Sequence, residues 1–301
     1  VSSDVVSVVN YAPTTTALAG ADIGLCNTAT TSLSGNSPTV GTGLWSLISG
    51  VATITTATDK NTTVTGIPVG TQAVFEWEFT NGACLSSDQV IVTNYQPTTV
   101  SAAGTDIDLC NTTTTSLSAN TPVIGTGLWS VVSGTGTATT PMSPTTTVSG
   151  VGAGNTVQFQ WTVTNGVCVS SDVVSVVNYA PATTAVAGSD IELCNISNTT
   201  LSANAAVIGI GTWSVLSGPG TLMDLNSPTS NVSGVTVNNS LKLKWEIVNG
   251  TCVSRDTVEI TNYQIPIVAD AGVDFLICDL TTGNLNGNTP AVGVGSWSTI
   301  S

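Results

Sequence analysis

Residues 71–95 read TQAVFEWEFTNGACLSSDQVIVTNY, and the alternation inside them decides the fold. Ala73, Phe75, Trp77 and Phe79 fall on one side of an extended chain, while Gln72, Glu76, Glu78 and Thr80 make up most of the other. Period two of this kind marks a half-buried strand. Further along, Leu241, Leu243, Trp245 and Ile247 alternate in the same way with Lys242, Lys244 and Glu246. Asn81-Gly82, Asn165-Gly166 and Asn249-Gly250 follow these strands, and Asn-Gly is the pair preferred by a two-residue type I′ hairpin. The return strand then brings Val90 and Val92, or Val258 and Ile260, onto the inner face.

The hairpin is one part of a repeat. Tyr11, Tyr95, Tyr179 and Tyr263 stand 84 residues apart, and Cys26, Cys110, Cys194 and Cys278 keep the same step, as do Cys84, Cys168 and Cys252. Trp45, Trp77, Trp129, Trp161, Trp213, Trp245 and Trp297 do so too. Strict periodicity is the signature of an array, in which equal units make equal joints. The units are placed at 14–97, 98–181 and 182–265, with the end of a preceding repeat at 1–13 and the start of a further one at 266–301. The thirteen residues VSSDVVSVVNYAP that open the chain return at 169–181, directly behind Cys168. The expectation is that the matching cysteine belongs to an unfinished unit before Val1. About seven short strands with turn signals between them predict an all-β fold of tandem immunoglobulin-like sandwiches, strung into a rod.

Composition excludes several roles. The chain has 301 residues, 18 acidic against 4 basic side chains, no histidine and a net charge of -14. Nucleic-acid readers need a basic footprint, so that partner is excluded, and an anionic membrane is an equally poor one. No run of eighteen apolar residues predicts membrane insertion. Without histidine, Ser-His-Asp, Cys-His and His-metal centres are impossible in these residues. Glu76 and Glu78 lie on an outward face and become Gln160 and Thr162 one repeat later, which is no basis for a pair of catalytic carboxylates. No enzyme activity is expected.

Two acidic series do recur: Asp22, Asp106, Asp190 and Asp274 inside A-G-x-D, and Asp4, Asp88, Asp172 and Asp256 just before the return strand's valines. The first is the candidate calcium set, since calcium needs several oxygens converging; the plainer reading is an aspartate that fixes a turn through its own backbone. No other cofactor is expected. Trp45, Trp77, Trp129, Trp161, Trp213 and Trp245 lie on the apolar faces of their strands and are assigned to the core in preference to a sugar-binding platform. Lysine has no recurring position, which argues against isopeptide cross-links.

The stretch AGTDIDLCNTTTTSLSANTPVIGTGLWSVVSGTGTATTPMSPTTTVSG at 103–150, with FQWTVTNGVC at 159–168, resembles the PKD-like, immunoglobulin-like repeats of giant surface adhesins of Bacteroidota, those of the SprB gliding-motility type among them. The shared motifs are A-G-x-D, G-x-W-S, S-G and N-G-x-C, and the likeness runs along the whole chain. It implies export by the type IX secretion system and display as a filament outside the outer membrane. Asp256-Thr257-Val258 resembles the O-glycosylation acceptor of that phylum, which makes Thr257 a candidate. The antibody-type disulfide does not carry over, because the second cysteine of each unit follows the hairpin turn.

An exported protein oxidises its cysteines. The obvious pairing lies within a unit: Cys26–Cys84, Cys110–Cys168 and Cys194–Cys252. Strand parity favours another. In a seven-strand sandwich the first turn and the last hairpin sit at opposite poles, whereas in a head-to-tail array the bottom of one unit meets the top of the next. That gives Cys26–Cys168 and Cys110–Cys252, and leaves Cys278 with a partner outside these residues. Both schemes remain open at this level.

The function expected is a passive one: a stalk segment of a cell-surface adhesin, touching neighbouring repeats and holding out a distal tip that meets a surface or glycan ligand. An array of carbohydrate-binding modules is the alternative. Residues 95–104 connect two units and carry Pro97, Thr98, Thr99 and Val100, a short and extended link rather than a floppy one. With strands of about ten residues rising ~3.3 Å each, a unit spans ~35–40 Å and the chain very roughly 130 Å. Small-angle scattering is expected to show an elongated particle, and a compact globule would refute the reading. On heparin or DNA resin at physiological salt the chain is expected to flow through.

Overall fold

The computed structural model describes residues 2–279 and 281–300. Among them are twenty-one strands and no helix, in three sets of seven. The first set is β1 (Ile23–Cys26), β2 (Thr31–Ser32), β3 (Thr42–Ser49), β4 (Thr53–Ile54), β5 (Thr63–Thr65), β6 (Thr71–Asn81) and β7 (Cys84–Tyr95). The second is β8 (Ile107–Cys110), β9 (Thr114–Ser118), β10 (Thr126–Ser133), β11 (Thr137–Ala138), β12 (Thr145–Ser149), β13 (Asn155–Asn165) and β14 (Cys168–Tyr179). The third is β15 (Ile191–Cys194), β16 (Thr199–Thr200), β17 (Ile210–Ser217), β18 (Thr221–Leu222), β19 (Asn231–Ser233), β20 (Asn239–Asn249) and β21 (Cys252–Tyr263).

Each set folds into a four-stranded and a three-stranded sheet. The first sandwich orders its sheets β1-β7-β6-β3 and β2-β5-β4, and the other two repeat this order with their own strands. Neighbours are antiparallel except at one edge, where β1 runs parallel to β7 with Ile23 opposite Val92 and Cys26 opposite Tyr95. β15 pairs with β21 in the same way. This is an immunoglobulin-like sandwich three times over. The chain divides into two compact units, Val1–Ile107 with Thr113–Val177, and Asp108–Thr112 with Asn178–Ser301. Residues 2–22 and 264–300 contain no strand among the described ones.

The alternating residues do fill the cores. Phe75, Phe79, Trp77, Val90 and Val92 are buried in the first sandwich, and Leu241, Leu243, Trp245, Ile247, Val258 and Ile260 in the third. The six core tryptophans meet in cross-strand pairs: Trp45 opposite Trp77, Trp129 opposite Trp161 and Trp213 opposite Trp245. Their ring centroids are 4.9, 5.2 and 5.0 Å apart. The pairing explains the G-x-W-S motif. Gly43, Gly127 and Gly211 lie two residues ahead of one tryptophan and face its partner, so a Cβ there would overlap the ring of Trp77, Trp161 or Trp245. Trp297 lies outside the sandwiches and is exposed.

The hairpin differs from the sequence expectation by one residue. Asn81 pairs with Cys84, so the two-residue loop is Gly82-Ala83 rather than Asn81-Gly82. Of these loop residues Gly82 alone has positive φ, 59°, the pattern of a type II′ turn and not of I′. Removing one ring of a tryptophan pair should cost most of a buried aromatic's burial. Trp161→Ala is expected to lower stability by ~3–5 kcal/mol, read as a shift in the denaturant midpoint of the intact chain.

Candidate functional site

Two structures recur in register with the repeat, and both are built on the return strand. Along β7 the inward residues are Cys84, Ser86, Asp88, Val90, Val92 and Asn94: polar in the first half, apolar at Val90 and Val92, and closed by a buried asparagine. The polar half takes up the backbone of a segment that has no ladder of its own. Ser86 Oγ accepts from Ala17 N at 3.0 Å, and Asp88 Oδ2 from Ala19 N at 2.7 Å. From its other side, Asn36 binds Leu18 N and Thr16 O through its amide. Asp22 answers in the opposite direction, its Oδ1 accepting from Ile91 N at 2.9 Å.

The same bonds recur one and two repeats on. Ser170, Asp172 and Asn120 hold 100–103, and Asp106 accepts from Ser175 N. Ser254, Asp256 and Asn204 hold 184–187, and Asp190 accepts from Glu259 N. The A-G-x-D aspartates therefore bind a strand 69 residues away, not their own turn, which corrects the plainer sequence reading. Asp22, Asp106 and Asp190 are the calcium candidates; each has an oxygen engaged by a backbone amide. Asp274 is exposed in the tail. Among the described residues no three His, Cys, Asp or Glu side chains gather as a metal would need. The serines and asparagines lie outside the sequence expectation, although their 84-residue step is visible in it.

The second structure is the joint. Because β1 runs parallel to β7, Cys26 arrives at the exit end of the sandwich, beside Tyr95. There the hairpin of β13 and β14 meets it. The Tyr95 ring lies on Gly166, where a Cβ would overlap it, and Asn165 Nδ2 donates to Gln96 O at 2.9 Å. Tyr95 O accepts from Asn27 N at 3.2 Å. Cys26 and Cys168 are joined by a disulfide with Cα atoms 5.2 Å apart, inside the range that the bond requires. The next joint is built alike. Tyr179 lies on Gly250, Asn249 Nδ2 donates to Ala180 O at 2.8 Å, Asn111 N donates to Tyr179 O at 3.0 Å, and Cys110–Cys252 closes at 5.0 Å between Cα atoms.

The within-unit alternatives Cys26–Cys84, Cys110–Cys168 and Cys194–Cys252 are not the bonds formed. Eleven residues of β7 separate Cys84 from the Tyr95 end, ~36 Å at strand rise. Cys84, Cys194 and Cys278 are free thiols. Cys84 nonetheless sits in a half-built joint, with Tyr11 on Gly82, Asn81 Nδ2 donating to Ala12 O at 2.9 Å and its own Sγ 3.9 Å from Tyr11 O.

Reactive chemistry is sparse. A cleft of about 330 Å³ at the first joint is lined by Gly70, Thr93, Asn94, Tyr95, Gln96 and Asn165, with no carboxylate or thiol among them. The pKa of Glu246 is lowered by hydrogen bonds from Arg255 first and Lys244 second. A lowered carboxylate stabilises the fold at neutral pH and loses that contribution as pH falls through its folded value; for a surface cluster it amounts to ~0–1 kcal/mol. Thr257 is exposed on β21, opposite Lys244.

No family model matches the chain, and no curated protein sequence matches it. Among solved structures, a three-immunoglobulin-domain fragment of titin carrying an E-to-A substitution is similar at 11% identity, over 83% of this chain and 99% of that one, with a TM-score of 0.45. Extracellular domains 3–5 of Drosophila OTK are similar at 12% identity over 83% and 96%, TM-score 0.42. Immunoglobulin domains 1–5 of Sidekick-1 are similar at 11% over 85% and 60%, TM-score 0.35. It is the order of strands in the sheets that makes the fold immunoglobulin-like.

Two outcomes follow from the geometry. Non-reducing peptide mapping is expected to yield Cys26–Cys168 and Cys110–Cys252 peptides, with Cys84, Cys194 and Cys278 alkylated; a Cys110–Cys168 peptide would contradict it. Asp172→Ala leaves Ala103 N without its acceptor and is expected to cost ~1–3 kcal/mol, whereas Asp172→Asn, which keeps a carbonyl oxygen, loses less.

Proposed function

We propose that the chain is a structural stalk segment of a secreted, filamentous cell-surface adhesin, which extends a distal binding tip and transmits pull. Tandem immunoglobulin-like sandwiches with disulfides are a build typical of structural and adhesive proteins outside the cell. The single observation that carries the finer reading is the joint: Cys26–Cys168 and Cys110–Cys252 fasten successive sandwiches to each other instead of bracing each from within. A covalent bond placed there resists separation of neighbours under load. The repeating units in this reading are 14–97, 98–181 and 182–265, with partial units at 1–13 and 266–301.

The sequence likeness to the Bacteroidota adhesin repeats supports type IX export, attachment outside the outer membrane, a link to gliding and glycosylation at Thr257. A stalk of this kind needs no cofactor and no catalysis. Its partners are neighbouring repeats and, at a distal tip, a surface or glycan. A net charge of -14 disfavours nucleic acid and anionic lipid. No helix among the described residues is long and apolar enough to cross a membrane.

The alternative, an array of carbohydrate-binding modules, requires exposed aromatic platforms. The exposed aromatic side chains among the described residues are Tyr11, Tyr263, Phe275 and Trp297, all at or beyond the ends of the sandwiches. On a glycan array the chain is expected to give no saturable binding. Saturable binding that disappears in Tyr263→Ala or Trp297→Ala would overturn the stalk reading in favour of the alternative.

A further inference from the structure

We infer that the two disulfides knit the region between the joints into a covalent bundle of three backbone segments, which caps extension and tolerates cleavage. The bundle is a matter of connectivity, and it holds whether or not the chain serves as a stalk. Each bond spans 142 residues. Cys110 lies inside the loop closed by Cys26 and Cys168, and Cys168 lies inside the loop closed by Cys110 and Cys252. The loops therefore overlap, neither nested nor in series. From the Cys26–Cys168 bond to the Cys110–Cys252 bond the backbone offers three routes: 26 to 110, 168 back to 110, and 168 to 252.

The first consequence concerns length. The shortest covalent path from end to end enters along 1–26, crosses to Cys168, runs backwards to Cys110, crosses to Cys252 and leaves along 252–301. That is about 130 residues of backbone, or ~460 Å fully drawn out, against ~1,050 Å for the reduced chain. The backward route is the segment that holds β9–β13, so further pull on the oxidised chain is taken up by a segment loaded against its own direction.

The second consequence concerns breakage. One backbone cut anywhere between residues 26 and 252 leaves the chain in one covalent piece. Two cuts in different routes also leave it whole, and its two ends separate only when all three routes are cut. Within-unit bonds would give no such protection, since a single cut in either connecting segment would then sever the chain.

Force spectroscopy on the whole chain, held at its two ends, reads the first consequence. Removing one bond by Cys168→Ser or Cys252→Ser is expected to lengthen the oxidised chain by about 26 residues, ~90 Å, because a second route still bridges the gap. Removing both is expected to add about 168 residues, ~590 Å, far more than twice the single effect. Cys84→Ser is expected to change nothing. Additive increments, or a lengthening in Cys84→Ser, would overturn the inference.

The unsubstituted chain supplies a second readout that does not depend on a variant folding. A dithiol reductant gives each bond two electrons and two protons, opening it to two thiols and closing itself to a cyclic disulfide. Reduction is then expected to release the full length in the same experiment. If a specific protease site is placed in each of the two connecting segments and both are cut, the protein is expected to run as one species without reductant and as three with it. Three species without reductant would refute the bundle.

Discussion

The return strand of each hairpin is the element on which the rest depends, because its inner face changes character halfway along. Ser86 and Asp88 give way to Val90, Val92 and Asn94 within one strand. Buried amides need partners, and the serine and aspartate supply them to residues 17–19, a stretch with no ladder of its own. That lets the incoming chain run along the core edge without an eighth strand. Past Asp22 the backbone can pair with β7 directly, and it does so in parallel. Parallel pairing sends β1 toward the exit of the sandwich instead of its entrance. Cys26 reaches the joint by this route and there lies opposite Tyr95, which ends β7.

Most of the sandwich is legible in the sequence because it obeys period two. Phe75, Trp77 and Phe79 alternate so strictly that no helical reading competes. The tryptophan spacing places the core, and the G-x-W-S glycine, met first as a motif, has a packing cause in the facing ring. The hairpin register departs from expectation because Asn81-Gly82 is the stronger local turn signal. Tertiary contacts decide otherwise: the Asn81 amide is needed for Ala12 O, and Gly82 must stay bare beneath the Tyr11 ring. The aspartates are hidden for a different reason. A side chain whose partner amide lies 69 residues away leaves no short-range pattern, and the turn is the only thing local reading can see.

The same geometry explains why so few charged residues suffice. Polar groups that fix the sandwich are spent on backbone amides: Asp22 and Asp88 in the first copy, Asp106 and Asp172 in the second, Asp190 and Asp256 in the third. One oxygen of each carboxylate is engaged in this way. The surplus of acid over base leaves the surface repulsive to other acidic surfaces, its own copies included. In the third copy Lys244 and Arg255 gather on one carboxylate, Glu246.

A bond across 142 residues sounds remote, yet everything that positions it is local. Tyr95, Gly166, Asn165 and Asn27 all lie within three residues of Cys26, Cys168 or Cys26's strand partner. The long loop contributes only its closure, which on the chain-entropy account makes a bond of this span worth ~5 kcal/mol against the unfolded state. The second bond overlaps the first, so it closes a loop that is already partly closed and must be worth less than a second full share. Stability is then not what two such bonds add most. What overlap adds is connectivity: either bond alone shortens the chain, and together they make each backbone route between the joints dispensable. The Tyr-on-Gly contact comes before both in this logic. It seats the hairpin on the neighbouring exit by packing, and Cys84 holds the same pose beside Tyr11 with no bond formed. The sulfur atoms are brought together by a joint that exists without them.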